Sequence, residues 1–439
     1  MPNKFDTIII GAGPGGYELA SHLTEQGESV AIIERDLSGG TCLNRGCIPT
    51  KALFASAGAC AAAQSASDLG VDVGEIKPDF TRITARVKDV VNNLREGVER
   101  QLSKCTFIHG EARFVGEHEI NVEDEVIEAD RIVIATGSAP ARLNIPGGDL
   151  AITSDEALWM ETLPQSITII GGGVIGMEFA GIFAELGVKV TVIEFCKEIL
   201  PTVEAEIGKR LRQIMTRRGV DILTGTSVTA ISRNGNDLTV SYSNKKGEGS
   251  VNCDCVITAV GRRPVVPAGF TDYGGRLTSR GAIETDEYMR TSIPGVYAVG
   301  DVNGRLMLAH AAYAQGRVVL HKNKDLFNPL LVPGVVFTNP EIATVGHTSD
   351  SLSEAGIVCG SVKRPFASNG KACADGHTDG FVKILFDADD HTVKGISIIG
   401  HHAAELIAEA TMLVTDGIKL EDIGTRYIHA HPTLSEIFA

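Results

Sequence analysis

Two cysteines five positions apart, Cys42 and Cys47, are the residues best suited to redox chemistry. In a regular helix, residues at this spacing lie on different faces, with Cα atoms beyond the roughly 7 Å within which a disulfide can form. Gly46 and Pro49 lie where they allow a distorted turn. If Pro49 occupies a first helical turn, Cys47 begins a helix, where the helix dipole favours a thiolate. The pattern predicts a redox-active cysteine pair.

A histidine near the end of the sequence is the candidate base. Imidazole, with an ordinary pKa of about 6.5, suits proton exchange with thiols. His431 precedes Pro432, which favours an extended backbone. Taken by itself, Glu436 fits a capping box with Thr433 at a helix start.

An internal repeat relates residues 7–34 to residues 167–194 at a constant offset of 160. In each copy an apolar run leads into a glycine triplet, and a second apolar run ends in an acid. The first glycine makes the tight turn, and the second lets the backbone approach a pyrophosphate. The third lets the helix pack closely on the strand, and the acid can bind the hydroxyl groups of a ribose. Two such units predict two dinucleotide sites, with electrons passing between them. Their residues are Gly11, Gly13, Gly16 and Glu34, then Gly171, Gly173, Gly176 and Glu194.

Composition limits the class of protein. Hydrophobic residues at 43% and charged residues at 22% indicate a folded globular chain. A net charge of −15 argues against a nucleic-acid partner. No run reaches the roughly 18 apolar residues of a membrane span. The first residues show no leader pattern, and an odd count of nine cysteines is unlike a secreted disulfide scaffold. We therefore expect a cytoplasmic protein.

Further apolar runs closed by glycine predict returning strands at residues 131–138, 256–261 and 296–301. The third follows the second repeat, so we expect the first domain to be discontinuous. The last part alternates strand patterns with a helix over residues 403–416, which predicts a separate α+β domain. The expected segments are 1–146 (first domain, first part), 147–262 (second domain), 263–327 (first domain, second part) and 328–439 (last domain).

The cysteine segment and several other motifs resemble the class I flavin-dependent pyridine nucleotide-disulfide oxidoreductases, and among them the dihydrolipoamide dehydrogenases. The matching stretches are residues 40–51, 135–137, 300–301, 308–310 and 429–436, with both glycine turns and Gly261. The resemblance implies an α/β fold of the glutathione-reductase type, with two Rossmann-like domains binding FAD and NAD and a C-terminal α+β dimerisation domain.

The resemblance also implies roles for single residues. Cys42 would be the interchange thiol and Cys47 the cysteine stacked on the flavin. His431 would be the base, and Glu436 would orient it as the acid of a triad orients the base, a role that the resemblance leads us to favour over the capping box. Lys51 would lie near flavin N5, paired with Glu178. The expected FAD residues further include Thr41, Gly110, Thr136, Gly137, Asp301, Leu308, Ala309 and His310, and Gly261 joins the NAD residues.

The activity implied is NAD-dependent oxidation of protein-bound dihydrolipoamide. The implied partners are a second copy, with active sites shared between subunits, and lipoyl domains of a 2-oxo-acid dehydrogenase complex or the glycine cleavage system. No metal site is expected, because Cys253 and Cys255 fit one strand and His401, His402 and Glu405 fit a helix start.

Two alternatives stay open. One is an NAD(P)H-dependent reductase of another disulfide or of a metal substrate. However, Glu194 stands where NADPH enzymes of the glutathione type favour arginine, and the C-terminal cysteine pair of mercuric reductases is absent. Soluble transhydrogenases lack the second redox cysteine, which Cys47 supplies. The other alternative is a non-catalytic flavoprotein subunit of a complex, against which the intact set of catalytic residues argues.

Overall fold

The computed structural model describes residues 4–439. These residues form two compact units. The first contains the described residues up to Ala52, Ala85–Ala141 and Arg262–Pro329; the second contains Leu53–Thr84, Arg142–Gly261 and Leu330–Ala439. The first unit is therefore discontinuous in sequence. The four sequence-based domain boundaries stay a prediction.

The strands of the described residues, in chain order, are β1 (Lys4–Ile10), β2 (Val30–Glu34), β3 (Thr106–His109), β4 (Ala112–Phe114), β5 (Glu119–Val122), β6 (Glu125–Ile134), β7 (Ser138–Pro140), β8 (Ile152–Thr153), β9 (Ser166–Ile170), β10 (Lys189–Ile193), β11 (Asp221–Leu223), β12 (Thr226–Asn234), β13 (Asp237–Asn244), β14 (Gly247–Cys253), β15 (Cys255–Thr258), β16 (Arg262–Pro264), β17 (Val296–Ala298), β18 (Gly334–Val336), β19 (Glu341–Gly346), β20 (Cys359–Pro365), β21 (Phe381–Asp387) and β22 (Val393–Gly400).

The α-helices of the same residues are α1 (Pro14–Glu25), α2 (Gly40–Arg45), α3 (Cys47–Gln64), α4 (Phe80–Gln101), α5 (Ser154–Ala157), α6 (Val174–Glu185), α7 (Ala205–Arg217), α8 (Ala309–His321), α9 (Ser349–Glu354), α10 (Gly370–Asp375) and α11 (Ala403–Thr415). Within residues 4–439, no helix combines the length and the apolar character that crossing a membrane requires.

The first unit is built on a seven-stranded sheet in the order β3-β2-β1-β6-β5-β4, with β17 also paired to β6. The strands β3, β2, β1 and β6 are parallel neighbours. The apolar end of β1, Ile8 to Ile10, is buried, as expected for a strand covered on both faces. The chain leaves β1 towards β2 on one side, whereas β6 lies on the other, so the carboxyl end of β1 is a topological switch point, where dinucleotides bind.

The second unit repeats this plan in the order β11-β10-β9-β15-β8, with all pairings parallel. A three-stranded antiparallel sheet, β12-β13-β14, follows. The expectation of one strand through Cys253 and Cys255 is wrong. The strand stops between them, because the Asp254 carboxylate accepts the N–H groups of Gln165 and Ser166 at 2.8 and 2.9 Å. Cys253 therefore ends β14 and Cys255 begins β15.

The C-terminal part of the second unit contains an antiparallel sheet in the order β18-β19-β22-β21-β20. Helix α11 covers it with a buried stripe of Ala403, Ile407, Ala410 and Leu413. The spacing of these residues is that of one helix face. The expected helix and the α+β character of this part are confirmed.

Candidate active site

The redox cysteines lie at a break between two helices. Helix α2 ends before Gly46, whose φ of −146° and ψ of −115° depart from helical values, and α3 begins at Cys47. A Cβ at Gly46 would lie 2.9 Å from the Thr41 carbonyl oxygen, so the close approach of residue 46 to the backbone of α2 requires glycine. The thiols of Cys42 and Cys47 hydrogen-bond to each other. The distorted turn predicted from the spacing is confirmed.

The two thiols differ in their surroundings. Cys47 is exposed, whereas Cys42 is partly covered. The hydrogen bond with Cys47, followed by burial, raises the pKa of Cys42 well above its ordinary value, although the Lys51 ammonium acts in the opposite sense. Cys42 therefore holds its proton more firmly than an ordinary thiol. This difference suits a pair in which Cys47 supplies the thiolate and Cys42 exchanges with substrate.

A buried amide between the cysteines holds the loop in place. The Asn44 side chain donates to the carbonyl oxygens of Ser38 and Gly40, each at 2.9 Å. Its Oδ1 accepts the Nε–H of Arg95, from α4, at 2.9 Å. Asn44 thus has partners on both sides, which fixes the conformation of α2. Neither residue was predicted from the sequence; only the position of Asn44 between the cysteines could have indicated its role.

The first glycine turn forms a cradle without side chains. A Cβ at Gly11, whose φ is +107°, would lie 2.4 Å from the Ala135 carbonyl oxygen, and one at Gly16 would lie 1.9 Å from that of Gly11. At Gly40, a Cβ would lie 2.6 Å from the Cα of Gly13. The backbone segments are therefore in close contact at the start of α1, where a pyrophosphate would bind. This cradle fits the diphosphate of FAD.

Glu34 ends β2 beside this turn. One carboxylate oxygen accepts the N–H of Ala12 at 2.8 Å, and the other accepts that of Asp36 at 2.9 Å. Burial is the largest influence on the carboxyl and raises the pKa of Glu34. Each carboxylate oxygen has a second acceptor site, so a ribose hydroxyl can still bind. Gly110, the residue expected near the adenine, donates its N–H to the Glu34 carbonyl at 3.0 Å.

Asp301 belongs to a hydrogen-bond chain that the sequence analysis missed. Its carboxylate accepts the Ser138 hydroxyl at 2.5 Å, and the Arg262 Nε–H donates to the same hydroxyl at 2.7 Å. The Thr136 hydroxyl donates to a backbone carbonyl 2.5 Å away, and Gly137 has a φ of +68°. These residues lie past the carboxyl ends of β6 and β17, near the first glycine turn. The Ser138 hydroxyl thus orients the Asp301 carboxylate, and the expected contact of Asp301 with a flavin ribityl chain stays a prediction.

A further group of expected FAD residues lies at the start of α8. Leu308 is the N-cap residue and makes no side-chain cap bond, and Ala309 and His310 open the helix. Backbone N–H groups in a first turn have no carbonyl partner within the helix, so this terminus suits flavin carbonyl oxygens. Further along α8, the buried Gln315 Oε1 accepts the Gly300 N–H at 2.7 Å. This bond ties the helix to the segment that carries Asp301.

The second glycine turn repeats the first closely. A Cβ at Gly171 would lie 2.4 Å from the Ala259 carbonyl oxygen, and one at Gly176 would lie 1.9 Å from that of Gly171. No heavy atom of the described residues lies within 4 Å of a Cβ built at Gly173, which leaves the approach to the start of α6 open. Gly261, past the end of β15, has a φ of +109°. The turn fits a dinucleotide diphosphate.

Glu194 ends the second repeat as a nearly buried carboxylate, 7% exposed. Its oxygens accept the N–H groups of Gly172 at 2.5 Å and Cys196 at 2.6 Å. The Cys196 thiol also hydrogen-bonds to this carboxylate, so one of its roughly four acceptor sites is left for a ribose hydroxyl. A carboxylate at this place would repel the 2′-phosphate of NADP, so the site fits NAD.

Glu178 lies in α6 of the second unit and is buried, with 5% exposed. Its Oε1 accepts the Phe337 N–H at 3.0 Å. This contact joins α6 to the segment after β18 and was not anticipated. The expected pairing of Glu178 with Lys51 stays a prediction.

His431 and Glu436 form the expected contact. His431 Nδ1 lies 2.9 Å from Glu436 Oε1, while the other carboxylate oxygen accepts the Thr433 N–H at 2.9 Å. The capping box and the orienting role are therefore not alternatives, because the two oxygens serve one each. The Thr433 N–H, followed by His431, lowers the pKa of Glu436. The carboxylate stays charged, and the imidazole side chain is 79% exposed.

A second histidine contact supports this segment. His429 Nε2 lies 2.6 Å from Glu409 Oε1 of α11, and the His429 side chain is largely buried. The contact attaches the segment that carries His431 to the helix of the C-terminal part. His429 was noted in the sequence only as part of the matching motif.

The candidate residues fall into two sets. The first unit brings together the cysteine pair, Lys51 and the FAD residues. The second unit contains Glu178 and the NAD residues, and it also holds the contact between His431 and Glu436.

Comparison with known proteins identifies the family. The family model described as "Pyridine nucleotide-disulphide oxidoreductase" matches residues 5–316, and the model described as the dimerisation domain of the same family matches residues 332–439. The second match supports a homodimer.

Curated relatives match over the whole chain. "Dihydrolipoyl dehydrogenase" of Chlamydia pneumoniae is 37% identical and covers 100% of this chain and 96% of the relative. The protein of the same name from Bacillus subtilis is 35% identical over 100% of this chain and 95% of the relative.

Among solved structures, the HOCl-induced flavoprotein disulfide reductase RclA of Escherichia coli, as its Cu(II) complex, has a TM-score of 0.88 and 29% identity. It covers 100% of this chain and 99% of that chain. These findings confirm the expected resemblance and fold class, and the use of FAD and NAD(H) that they imply agrees with both glycine cradles. The chain belongs to the pyridine nucleotide-disulfide oxidoreductase family.

Proposed function

We propose that the protein catalyses the NAD-dependent oxidation of protein-bound dihydrolipoamide. The observation that carries the proposal is the hydrogen-bonded pair of Cys42 and Cys47 at a helix break beside a dinucleotide cradle. The printed names of full-length relatives agree with this activity. Glu194 adds support, because its position favours NAD as the final acceptor.

The chain's own residues would act on thiols and protons. In the disulfide form of the pair, Cys42 Sγ receives the attack of a substrate thiolate, which releases Cys47 as a thiolate. The second substrate thiol then displaces Cys42 and completes the substrate disulfide. FAD, which the first glycine turn and Glu34 would hold, would supply the two-electron transfer from the reduced cysteine pair to NAD. Two thiol protons leave the substrate, and one electron pair leaves with them.

His431 is the base for those protons. Its Nδ1 contact with Glu436 leaves Nε2 for a substrate thiol and favours one ring orientation. The carboxylate of Glu436 also stabilises the imidazolium that forms. Because its second oxygen holds the Thr433 N–H, the carboxylate cannot turn away without losing a hydrogen bond.

The proposed partners follow from the C-terminal part. We infer that two chains share each active site, with His431 of one chain serving the cysteines of the other, and that lipoyl domains of a 2-oxo-acid dehydrogenase complex or the glycine cleavage system deliver the dithiol. The 79% exposure of the His431 side chain on the single chain suits a residue that serves a neighbour. The proposed location is the cytoplasm.

A second candidate is reduction of another disulfide, with NADH or NADPH as donor. The structural likeness to a flavoprotein disulfide reductase favours it. The third possibility, a non-catalytic flavoprotein subunit, has no structural observation in its favour, because the cysteine pair and the contact between His431 and Glu436 are both formed.

Steady-state rates test the three possibilities together. The purified holoenzyme is assayed with dihydrolipoamide and NAD, with oxidised glutathione and NADH, and with NADP in place of NAD. We expect the dihydrolipoamide reaction to dominate and NAD to be preferred by at least about tenfold in kcat/KM. If reduction of glutathione disulfide is the faster reaction, the protein is a disulfide reductase and the proposed dehydrogenase function is wrong. If no substrate is turned over, the non-catalytic subunit is favoured.

A further inference from the structure

A buried ion pair in the second unit joins helix α7 to the C-terminal sheet. Lys383, in β21, is 7% exposed, and Glu204, which precedes α7, is 5% exposed. Lys383 Nζ lies 2.7 Å from Glu204 Oε1 and 3.0 Å from Glu206 Oε1. The Ser349 hydroxyl also donates to Glu204 Oε1, and the Ser349 N–H donates to Glu204 Oε2, each at 2.9 Å. Both oxygens of the Glu204 carboxylate are therefore bound by residues of the C-terminal part.

Both groups of this pair keep their charge. Burial opposes the charge on each, but the hydrogen bonds of the cluster outweigh it, so the pKa of Glu204 is lowered and that of Lys383 is raised. Glu204 is also the N-cap residue of α7, yet its side chain makes no cap bond to that helix. A side-chain oxygen at an N-cap ordinarily accepts an N–H of its own helix. The Glu204 carboxylate instead links the start of α7 to β21.

The segment 194–204, which ends at Glu204, packs against the second glycine turn. It holds both backbone groups of Gly172: the Glu194 carboxylate accepts the Gly172 N–H at 2.5 Å, and the Leu200 N–H donates to the Gly172 carbonyl oxygen at 2.8 Å. A Cβ at Gly172 would lie 3.0 Å from Ile199 Cγ2, so there is little free space between the segment and the turn. The position of Gly172 therefore depends on the conformation of segment 194–204.

Leu200 has a strained backbone within this segment. Its φ of +51° lies in the left-handed region, which residues other than glycine adopt only where the surrounding contacts enforce it. Two contacts anchor the segment on either side of Leu200. Glu198 pairs with Arg212 of α7 at 2.7 Å, and Glu204 pairs with Lys383 in the more buried of the two contacts. Loss of the contact at Glu204 would let Leu200 relax, and its N–H would then leave the Gly172 carbonyl oxygen.

We propose that Lys383, acting through Glu204, is a positioning residue for NAD: it holds segment 194–204 against the second glycine turn and so sets the backbone geometry that receives the dinucleotide diphosphate. Without the Lys383 cation, the buried Glu204 carboxylate would have no ion-pair partner, and it would have to turn towards water. That movement displaces Leu200 and, with it, Gly172. The inference goes beyond the proposed function, because it concerns the binding of NAD and not the identity of the dithiol.

Calorimetric titration of the oxidised holoenzyme with NAD tests the proposal without any dithiol substrate. Lys383→Met should raise the Kd for NAD by about tenfold. Lys383→Arg, which keeps the cation, should raise it by less. Glu204→Gln removes the charge at the other end of the contact and should also raise the Kd, which provides a second route if Lys383→Met does not fold.

Lys363→Met is the matched control. Lys363 lies directly opposite Lys383 in the pairing of β20 with β21, and its exposed ammonium pairs with Glu206 at 2.7 Å. The control removes one cation from the same cluster and leaves the contact between Lys383 and Glu204 in place. It should therefore leave the Kd for NAD unchanged. An equal rise in Lys363→Met and Lys383→Met would overturn the proposal, because the net charge of the cluster would then be the cause.

Two further readouts separate positioning from general damage to the fold. The double variant of Lys383→Met and Glu204→Gln should raise the Kd no more than the larger single change does, because both changes act on one contact. In steady state, Lys383→Met should raise KM for NAD and change kcat by less than about twofold. Single effects that multiply in the double variant, or an unchanged Kd in folded Lys383→Met and Glu204→Gln, would overturn the proposal.

The same measurements separate this inference from the proposed function. If the wild-type enzyme fails to oxidise dihydrolipoamide but the Kd for NAD rises in Lys383→Met and not in Lys363→Met, the proposed function is wrong and the positioning role stands. If dihydrolipoamide is oxidised and the Kd for NAD is the same in both variants and the wild type, the positioning role is wrong and the proposed function stands.

Discussion

At the scale of single residues, three acids of the site each do two things. Glu34, Glu194 and Glu436 each accept backbone N–H groups. Glu436 also contacts an imidazole, and the other two keep an acceptor site for the ribose expected there. A carboxylate can do this because its two oxygens offer about four acceptor sites. The backbone contacts fix the direction of the carboxylate before any ligand arrives. Replacing such an acid therefore removes a ligand contact and loosens the loop that presents it.

Serine at either cysteine should stop dithiol turnover and leave FAD bound, because the FAD cradle is built from other residues. The two variants should differ in colour. If Cys47 is the cysteine that stacks on the flavin, as we propose, only its thiolate can make a charge-transfer contact, so Cys42→Ser should show long-wavelength absorbance at neutral pH and Cys47→Ser should not. Absorption spectra of both purified variants check this. The opposite spectra would exchange the roles of the two cysteines.

Glu436→Gln should lower kcat for dihydrolipoamide oxidation by at least about tenfold, because the base loses the charge that orients it and stabilises its protonated form. The wild-type carboxylate should keep its charge to a lower pH than an ordinary glutamate does, because the Thr433 N–H and then His431 lower the folded-state pKa of Glu436. Glu421, which contacts His391 at 3.3 Å on the surface, is a matched control. Glu421→Gln should leave kcat unchanged.

At the scale of elements, locally encoded features were predictable and long-range contacts were not. The glycine turns, the break at Gly46 and α11 are set by residues adjacent in sequence, so spacing alone indicates them. The bond from Arg95 to Asn44 spans 51 positions, and that from Arg262 to Ser138 spans 124. Such contacts depend on how strands and helices assemble. No local pattern marks their partners.

A cluster of imidazoles joins α11 to its neighbours. His401 stacks on His377 at 3.9 Å between ring centroids and meets His402 at 3.8 Å. Burial first, then the charges of His377 and His402, lowers the pKa of His401 to about 4, although Asp375 acts in the opposite sense. The unfolded chain binds this proton near the ordinary value of 6.5. Folding stability from this group is therefore lost as the pH falls from 6.5 towards 4.

His401→Asn should consequently reduce the fall in Tm between about pH 7 and pH 5, because asparagine takes up no proton in that range. Thermal unfolding at both pH values, followed by circular dichroism, measures the difference. His321→Asn, at the exposed end of α8, is the control and should keep the wild-type fall. An equal fall in His401→Asn and wild type would show that other groups govern acid stability.

At the scale of the whole molecule, the two ends of the proposed chemistry lie in different units. The first unit contains the cysteine pair and the FAD cradle, whereas the contact between His431 and Glu436 lies in the second, close to the end of the chain. The match to a dimerisation domain over residues 332–439 means that the part carrying the base is also the part that pairs with a second copy. A base supplied in trans is the simplest use of this arrangement.

Mixing two inactive variants tests whether the base acts in trans. If His431 serves the partner's cysteines, a heterodimer of Cys42→Ala and His431→Ala chains has one site with both lesions and one site with neither. With equal mixing and free exchange, about half of the dimers are mixed, so about a quarter of wild-type activity should return. A mixture of Cys42→Ala and Cys47→Ala is the matched control and should stay inactive, because each of its sites carries a lesion. If mass spectrometry shows exchanged subunits and no activity returns in the first mixture, His431 acts within its own chain or is not the base.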